Sequence, residues 1–315
     1  MGDNHNISDL YNKITNELSK VIVGKGEIEA ALVLCLLADG NMLIEGLPGT
    51  AKTKIAKTFA TVTGCDFKRI QFTPDMMPAD ITGFYVYSPA GNAKFVQGPI
   101  FANIVLADEL NRTTPRTQSA LLEAMQEHQV TIEGKSFPLG SPFMVIATQV
   151  PAGGEGTYPL TDVQVDRFLL KVKSEYPSRD EEKQIIANID KIDESAVQAV
   201  TSQDEIIRLQ QLAHSVHVSP DIVEYTIALI TSLRSDPDIL WGPSVRSGIA
   251  LYKCARVQAL LDGRDFVIPD DIKSLAPKAI EHRIRVKPES EMDDITPRII
   301  VNRALEKIPV PKINV

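Results

Sequence analysis

Residues 45–54, EGLPGTAKTK, carry a glycine, a lysine and a threonine at nearly the spacing of a phosphate-binding loop. Gly46, Lys52 and Thr53 fit the pattern G-x-x-x-x-G-K-[ST], whereas Ala51 stands where the pattern has its second glycine. In such a loop, backbone N–H groups surround a phosphate, the lysine adds positive charge and the hydroxyl binds Mg²⁺. The alternative interpretation is a strand–turn–helix junction that binds no ligand.

Alanine can replace glycine at position 51 only if the backbone there suits an L-residue. Glycine is required where φ is positive or where the backbone must touch a ligand. Because Ala51 directly precedes a predicted helix at residues 52–60, we expect it to have helical dihedral angles. We also expect the side chain of Lys52 to be exposed, so that its removal would cost little stability.

A second pair of chemical groups follows the apolar run in IVLADELNR, residues 104–112. A buried strand would deliver Asp108 and Glu109 to its C-terminal end, where ligands bind in parallel sheets. There Asp108 would hold Mg²⁺, and Glu109 would polarise an attacking water molecule. The alternative is a solvated strand end without a ligand. The chain has no N-K-x-D segment that would read guanine, so ATP is favoured over GTP.

The elements around these residues alternate between apolar strands and helices over residues 40–173, which predicts a parallel α/β sheet. Five strands are predicted, at 41–45, 67–72, 103–108, 143–148 and 168–172. From Pro177 onward, apolar residues recur at helical spacing. We therefore predict an α/β domain over residues 1–176 and an all-helical domain over residues 177–315.

The composition argues against several classes of protein. The 315 residues carry a net charge of −8 and no block of consecutive basic residues, so we expect no nucleic-acid partner. Cys35, Cys65 and Cys254 are widely spaced and odd in number, which is typical of reduced thiols in the cytosol. The longest apolar run has nine residues and the N-terminus lacks signal-peptide features. We therefore expect a cytoplasmic protein without stable membrane insertion.

Several blocks of this sequence, in this order, closely resemble the MoxR family of AAA+ ATPases over nearly the whole chain. The blocks are GLPGTAKT and residues 71–87, 98–127, 155–168, 242–248 and 263–284. The resemblance implies an AAA+ parallel five-stranded sheet with flanking helices, followed by a smaller all-helical lid domain. It implies ATP and Mg²⁺ as cofactors. Because members of the family commonly carry alanine before the loop lysine, it also favours a phosphate loop at residues 46–53.

The resemblance assigns roles to individual positions. The nucleotide-binding set that it implies is Val23, Gly24, Gly46, Leu47, Pro48, Gly49, Thr50, Ala51, Lys52, Thr53, Lys54, Asp108 and Arg246. Within this set, Thr53 and Asp108 would bind Mg²⁺, and Val23 with Gly24 would line the adenine pocket. The catalytic set that it implies is Lys52, Glu109, Arg167 and Arg246.

The two arginines of that set have separate roles by resemblance. Arg167 matches the arginine finger that reaches the γ-phosphate of a neighbouring subunit, where a cation stabilises charge that develops in the transition state. Its alternative role is that of a helix-end arginine paired with Asp162 or Asp166. Arg246 matches the sensor-2 arginine, which the lid directs at the nucleotide. Its alternative role is that of a surface arginine early in a helix.

One position departs from the family pattern. In ATQVP, residues 147–151, Val150 stands where the family has an asparagine that orients water or contacts the γ-phosphate. Valine can do neither, so this sensor-1 role is not carried over and efficient hydrolysis becomes a question. Gln149 could partly substitute if the end of the strand is slightly shifted.

Two further segments resemble inserted hairpins, at residues 80–99 and 127–140. In the second segment, alternating apolar residues flank Glu133 and Gly134, a good hairpin turn. Similar insertions in related machines face a central pore or a client protein. The alternative is a pair of passive surface hairpins.

The function implied by the resemblance is that of an ATP-hydrolysing, chaperone-like remodeller or maturation factor for client proteins. It would act as a homo-oligomer, a hexameric ring being expected, on clients that carry a von Willebrand factor A domain. One alternative is a nucleotide-gated scaffold with weak hydrolysis, which Val150 favours. Another is a DNA-remodelling AAA+ protein, which the acidic net charge disfavours.

Overall fold

The computed structural model describes residues 2–89, 92–151, 156–191 and 196–311. Its helices are α1 (Gly2–Ser19), α2 (Gly26–Leu37), α3 (Lys52–Val62), α4 (Pro78–Thr82), α5 (Pro115–Glu127), α6 (Asp162–Val165), α7 (Arg179–Ala187), α8 (Gln203–Ser215), α9 (Pro220–Arg234), α10 (Val245–Leu261), α11 (Pro269–Ile280), α12 (Pro288–Met292) and α13 (Pro297–Lys307). Its strands are β1 (Met42–Gly46), β2 (Phe67–Gln71), β3 (Gly83–Tyr87), β4 (Ala93–Gln97), β5 (Ile104–Asp108), β6 (Gln129–Ile132), β7 (Lys135–Pro138), β8 (Met144–Gln149), β9 (Leu170–Ser174), β10 (Ile239–Trp241) and β11 (Arg285–Val286).

The five strands predicted from the sequence form one parallel sheet in the order β2-β5-β8-β1-β9. Each lies within two residues of its predicted bounds. The register aligns Gln71 with Asp108 and Ile44 with Thr148, so the C-terminal ends of these strands meet at one edge. Ligands of open parallel sheets bind at this edge.

Successive side chains of a strand point to opposite faces of the sheet. Both faces of this sheet carry apolar side chains, and helices cover both. Ile44, Leu106 and Ile146 pack in a core that α1, α2, α3 and the C-terminal helices share. Leu43 and Val105 pack in a second core with residues of α4 and α5. The expected α/β class is thereby confirmed. The predicted domain boundary at residue 176 lies between β9 and α7 and stays a prediction.

The segment 127–140 forms the predicted hairpin, β6–β7. Glu133 and Gly134 have φ of 50° and 77°, the left-handed backbone that a tight hairpin turn requires. A second hairpin, β3–β4, lies in the segment 80–99. The two hairpins pack through aromatic rings, with Phe95 stacked on Phe137 at a centroid distance of 4.6 Å.

Among the described residues from 177 onward, the chain is helical, as predicted, apart from a short ribbon and an isolated bridge between His217 and Phe266. Strands β10 and β11 pair antiparallel, with Ile239 opposite Val286. The sequence did not predict them, because strands of three and two residues are too short to show an alternating pattern. Among the helices that the structure describes, none is long and apolar enough to cross a membrane.

Candidate nucleotide-binding site

The predicted phosphate loop joins the end of β1 to the start of α3. Gly46 is the last residue of β1 and Lys52 is the first of α3, while Thr53 and Lys54 lie in the first helical turn. Within the described part of the chain, the backbone N–H groups of Gly49 and of residues 51–53 have no protein acceptor. N–H groups at the start of a helix favour an anion, so the loop fits a phosphate.

The expectation that Ala51 has helical dihedral angles is wrong. Its φ of 63° and ψ of 17° place it in the left-handed region, two residues after Gly49, whose φ is 80°. A non-glycine residue pays about 1–2 kcal/mol for this conformation. Ala51 therefore has the left-handed backbone that would explain a glycine at this position of the pattern. For alanine, this backbone is strained.

Gly46 is required by packing. A Cβ atom at this position would overlap the carbonyl oxygen of Ser174 on the neighbouring strand β9. The Ser174 hydroxyl in turn donates to the carbonyl of Thr50 at 3.3 Å, which ties β9 to the loop. The first glycine of the pattern thus fixes how closely the loop lies against the sheet.

The expectation that Lys52 is exposed is also wrong. Lys52 is only 8% exposed. Its ammonium donates to the carbonyls of Gly46 at 2.9 Å and Leu47 at 2.7 Å. Burial lowers the pKa of Lys52, and the carboxylates of Asp108 and Glu109 act in the opposite direction. Lys52 holds the loop closed on itself and would have to exchange these carbonyls for phosphate oxygens.

The structure brings together the two residues predicted to bind Mg²⁺. Thr53 Oγ1 donates to Asp108 Oδ2 at 3.1 Å, and Thr148 Oγ1 donates to Asp108 Oδ1 at 2.7 Å. Arg69 on β2 also pairs with Asp108 Oδ2, at 2.7 Å. Burial alone would raise the pKa of Asp108, but the hydrogen bonds from Thr148, Arg69 and Thr53 lower it below its ordinary value. The carboxylate is therefore ionised and able to bind a cation.

Glu109 directly follows this carboxylate and has a left-handed backbone, with φ of 57° and ψ of 47°. Its N–H donates to Thr148 Oγ1 at 2.8 Å. Its Oε2 atom accepts from Gln71 Nε2 at 3.0 Å and lies 3.0 Å from Arg112 Nε. The side chain is thus positioned by two neighbours, while Oε1 accepts no hydrogen bond from the described residues.

Sequence analysis missed four residues of this cluster, namely Arg69, Gln71, Arg112 and Thr148. Thr148 carried a usable signal, because it is a polar residue at the C-terminal end of a buried strand. Arg69 and Gln71 alternate along β2, which places both side chains on one face of the sheet beside Asp108.

The residues of the sensor-1 segment have other partners. Asn111 donates to the Val150 carbonyl at 3.0 Å and accepts from the Val150 N–H at 3.2 Å. Gln149 Nε2 donates to Glu45 Oε2 at 2.6 Å. Gln149 is therefore bonded to a residue of β1. This bond disfavours the possibility, left open by the sequence, that Gln149 takes over the role of the missing sensor-1 asparagine.

Arg167 and Arg246 lie beside each other around Asp166. Arg246 Nη1 is 3.1 Å from Asp166 Oδ2, and the buried Arg283 Nε is 3.0 Å from Asp166 Oδ1. Asp166, one of the two alternative partners expected for Arg167, is thus paired with other arginines. Arg167 Nε is buried without a partner in the described chain, and burial together with the charge of Arg246 lowers the pKa of Arg167.

The segment predicted to line the adenine pocket borders a cavity of about 860 Å³. Gly24, which follows Val23, lies in its wall with φ of 69°. Its lining also includes Lys25, Glu45, residues of β9 and residues of the C-terminal helices. Glu45 directly precedes Gly46, so this cavity adjoins the end of β1 from which the phosphate loop begins.

Comparison with known proteins gives matches along most of the chain. Residues 41–170 match the model of the ATPase family associated with various cellular activities (AAA), and residues 231–304 match the AAA lid domain. Chaperone MoxR1 of Mycobacterium tuberculosis is 40% identical over 95% of this chain and 81% of its own length. The uncharacterized protein YeaC of Bacillus subtilis is 42% identical over 99% of this chain and 98% of its own.

A solved structure gives the same result for the fold. The chain is similar to a protein of Cytophaga hutchinsonii described as a candidate ATPase, with 36% identity and a TM-score of 0.91. The similarity covers 98% of this chain and 97% of that chain.

Proposed function

This chain belongs to the MoxR family of AAA+ ATPases, and on that basis we propose that it binds Mg-ATP and hydrolyses it to ADP and phosphate. The observation that carries the proposal is the 3.1 Å hydrogen bond between Thr53 and Asp108. It joins the phosphate loop to the acidic strand end, so a threonine hydroxyl and a carboxylate meet at one point. A Mg²⁺ ion in a nucleotide site typically has one or two protein oxygens among its ligands, and the other ligands are phosphates and water.

In this proposal, the N–H groups of Gly49 and of residues 51–53 bind phosphate oxygens and Lys52 neutralises their charge. Lys52 releases the carbonyls of Gly46 and Leu47 when it does so. Thr53 and Asp108 hold the metal. Bound Mg²⁺ supplies electrostatic stabilisation of the charge on the phosphates.

Glu109 is the group that orients and deprotonates the attacking water. Gln71 and Arg112 hold Oε2, which leaves Oε1 as the acceptor for the water proton. The left-handed backbone and the bond to Thr148 fix the direction of the side chain. A residue with this geometry is suited to general base catalysis.

Arg167 and Arg246 serve the nucleotide of a neighbouring subunit in a homo-oligomeric ring, which we propose to be hexameric. Arg246 pairs with Asp166, whose carboxylate Arg283 already shares, and the charge of Arg246 acts on the neighbouring Arg167. An anionic nucleotide presented by another subunit would complement them. The charged groups that act on the chain's own Lys52 are Asp108, Glu109 and Lys25.

The hydrolysis cycle would drive remodelling or maturation of a client protein in the cytoplasm, one with a von Willebrand factor A domain. A related protein in the comparison is named a chaperone, which supports this role. A second candidate is a nucleotide-gated scaffold that hydrolyses ATP slowly. Val150 favours it, because the expected amide is replaced by an apolar side chain and Gln149 is bonded to Glu45.

The test is the substitution Glu109→Gln, which removes the base and keeps the shape of the side chain. We expect ATP affinity close to that of the wild type and a fall in hydrolysis of about 10²-fold or more. The matched control is Glu224→Gln, at an exposed position on α9. Equal hydrolysis in Glu109→Gln and the wild type would contradict the proposal. Clients retained by the ATP-bound variant can then be identified by affinity capture.

A further inference from the structure

Arg283 is a buried arginine that the proposed mechanism does not use. It follows α11, in the part of the chain that matches the AAA lid domain, and its side chain is only 3% exposed. Burial lowers the pKa of Arg283, and the charge of Asp166 acts in the opposite direction. Burial of a charged group is costly unless the group is paired and hydrogen-bonded, so this guanidinium needs a full set of acceptors.

The acceptors of Arg283 lie on both sides of Arg167. The Nε atom of Arg283 donates to Asp166 Oδ1 at 3.0 Å, and Nη2 donates to the Asp166 carbonyl at 3.0 Å. The same Nη2 atom donates to the Phe168 carbonyl at 2.6 Å, and Nη1 donates to the Leu169 carbonyl at 3.4 Å. One guanidinium thus holds the residue before Arg167 and the two residues after it.

The fifth hydrogen bond of Arg283 goes to the carbonyl of Ala279 on α11. A guanidinium has five N–H groups in one plane, so one bond ties Arg283 to its own helix and four bonds reach residues 166–169. Because the plane is rigid, this pattern orients residues 166–169 relative to α11. A lysine has three donors around a single nitrogen and cannot reproduce it.

Other groups of the matched lid reach the same segment at single points. Ser244 Oγ donates to Asp166 Oδ1 at 2.8 Å, and His282 Nε2 lies 3.2 Å from the Phe168 carbonyl oxygen. Each of these two groups contacts one side of Arg167, whereas the guanidinium of Arg283 contacts both sides. Arg283 is therefore the residue best placed to fix the backbone at position 167.

We propose that Arg283 is a positioning residue for Arg167, which it fixes to the lid in the direction that the nucleotide of the neighbouring subunit requires. This inference rests on the proposed function. Arg167 Nε is buried without a partner among the residues that the structure describes, so no bond at this atom holds the guanidinium. Its direction then depends on the flanking backbone. A displacement of about 1 Å near a reacting group can cost about 10²-fold in rate.

The first experiment compares Arg283→Lys with Arg264→Lys. Arg264 is the matched control, because its two Nη atoms pair with Asp271 at 2.7 and 2.9 Å, within the matched lid. Both variants replace a multiply bonded guanidinium by an ammonium, so both should lower the melting temperature. We expect Arg283→Lys, but not Arg264→Lys, to lower kcat about ten- to a hundredfold. ATP affinity should change little in either variant, since the phosphate loop is left intact.

The second experiment asks whether the loss follows Arg167. The double variant Arg167→Ala/Arg283→Lys should hydrolyse ATP no more slowly than Arg167→Ala does, since Arg283 acts through a side chain that is already removed. Glu109→Gln keeps both arginines, so mixed rings of Glu109→Gln and Arg283→Lys should recover activity. Mixed rings of Arg283→Lys and Arg167→Ala should not recover, because every arginine finger in them is impaired.

The outcomes separate the inference from the proposed function. Wild-type kcat in Arg283→Lys, or an equal fall in Arg264→Lys, overturns the inference and leaves the proposed function standing. Recovery in the mixture with Arg167→Ala also overturns it, as does wild-type kcat in Arg167→Ala. If Glu109→Gln rescues Arg167→Ala but not Arg283→Lys, the defect lies in the altered subunit itself and the inference is wrong. If the wild type hydrolyses no ATP, the proposed function fails and the inference fails with it.

Discussion

The hydroxyl of Thr148 donates to Asp108 Oδ1 at 2.7 Å and also accepts the N–H of Glu109 at 2.8 Å. One side chain on β8 thus positions the proposed metal ligand and the proposed base on β5. Thr148 is fully buried, so no water can replace it without rearrangement.

Thr148→Val keeps the shape of this side chain and removes its hydroxyl. We expect a loss of about 1–3 kcal/mol in the free energy of unfolding, because the Glu109 N–H is left without an acceptor. ATP turnover should fall more than ATP affinity does, since Glu109 loses its fixed direction. Denaturant unfolding and steady-state kinetics measure both effects. Thr148→Ser retains the hydroxyl, and a loss as large as that of valine would show that the methyl group matters instead.

Ala51→Gly should stabilise the protein. Glycine removes about 1–2 kcal/mol of left-handed strain from the folded state. It also lowers the free energy of unfolding by about 0.4–1 kcal/mol, because the unfolded chain gains conformational freedom. The expected net gain is therefore roughly 0.5–1 kcal/mol. Ala56→Gly, within α3 and with helical backbone, is the control and should lose about 1 kcal/mol through helix propensity and a further amount through its buried methyl group. A loss of stability in both variants would mean that strain at Ala51 is not relieved by glycine.

Stability should decline at alkaline pH because of buried thiols. Burial raises the pKa of Cys254 to about 12, whereas an unfolded cysteine titrates near about 8.5. Between these values the unfolded chain loses a proton that the folded chain keeps. The contribution is therefore fully present below about pH 8.5 and declines by about 1.4 kcal/mol per pH unit above it.

The slope of unfolding free energy against pH, measured by denaturant titration from pH 8 to pH 10.5, tests this expectation. Cys254→Ala should flatten the slope, and the cavity that it creates should lower stability equally at every pH. Cys65→Ala is the control, because Cys65 is less deeply buried and should change the slope less. An unchanged slope in Cys254→Ala would show that other groups cause the alkaline loss.

Mixing two inactive variants tests whether Arg167 acts between subunits. Arg167→Ala should bind ATP but hydrolyse it poorly, since the transition state loses a cation worth about 10³-fold or more. Glu109→Gln is inactive for a different reason and keeps Arg167. Mixed rings should therefore recover part of the activity, at sites where a Glu109 of one subunit meets an Arg167 of the next. With mixed assembly verified by crosslinking, an absence of recovery would place the arginine in its own subunit or outside catalysis.

The sequence predicted what depends on regular patterns. The five strands follow from apolar runs such as IVLA before Asp108, and the β6–β7 turn follows from Glu133 and Gly134. It failed where tertiary contacts decide. Lys52 is buried because its ammonium reaches the carbonyls of its own loop, and no pattern encodes that bond. Arg69 and Asp108 are 39 residues apart and meet only because β2 and β5 are neighbours in the sheet.

Val150→Asn distinguishes the ATP-driven machine from the slow scaffold. Asn111 bonds both the N–H and the carbonyl of Val150, so the backbone is fixed and the substitution acts through the side chain alone. An amide that holds the attacking water should help the transition state more than bound ATP, whose main contacts are with the loop and the metal. One such hydrogen bond is worth roughly 1.4–3 kcal/mol, or about tenfold or more in rate. We therefore expect kcat to rise several-fold with little change in ATP affinity.

Val150→Leu is the control, because it changes size without adding a hydrogen-bonding group, and it should not raise kcat. Gln149→Ala tests the neighbouring amide, which donates to Glu45 in this structure and should contribute little to turnover. Steady-state ATPase rates and nucleotide affinities of the three variants decide the question. If the wild type is already fast and Val150→Asn leaves kcat unaltered, another group orients the water and the scaffold interpretation is wrong. A large fall in Gln149→Ala would identify Gln149 as that group.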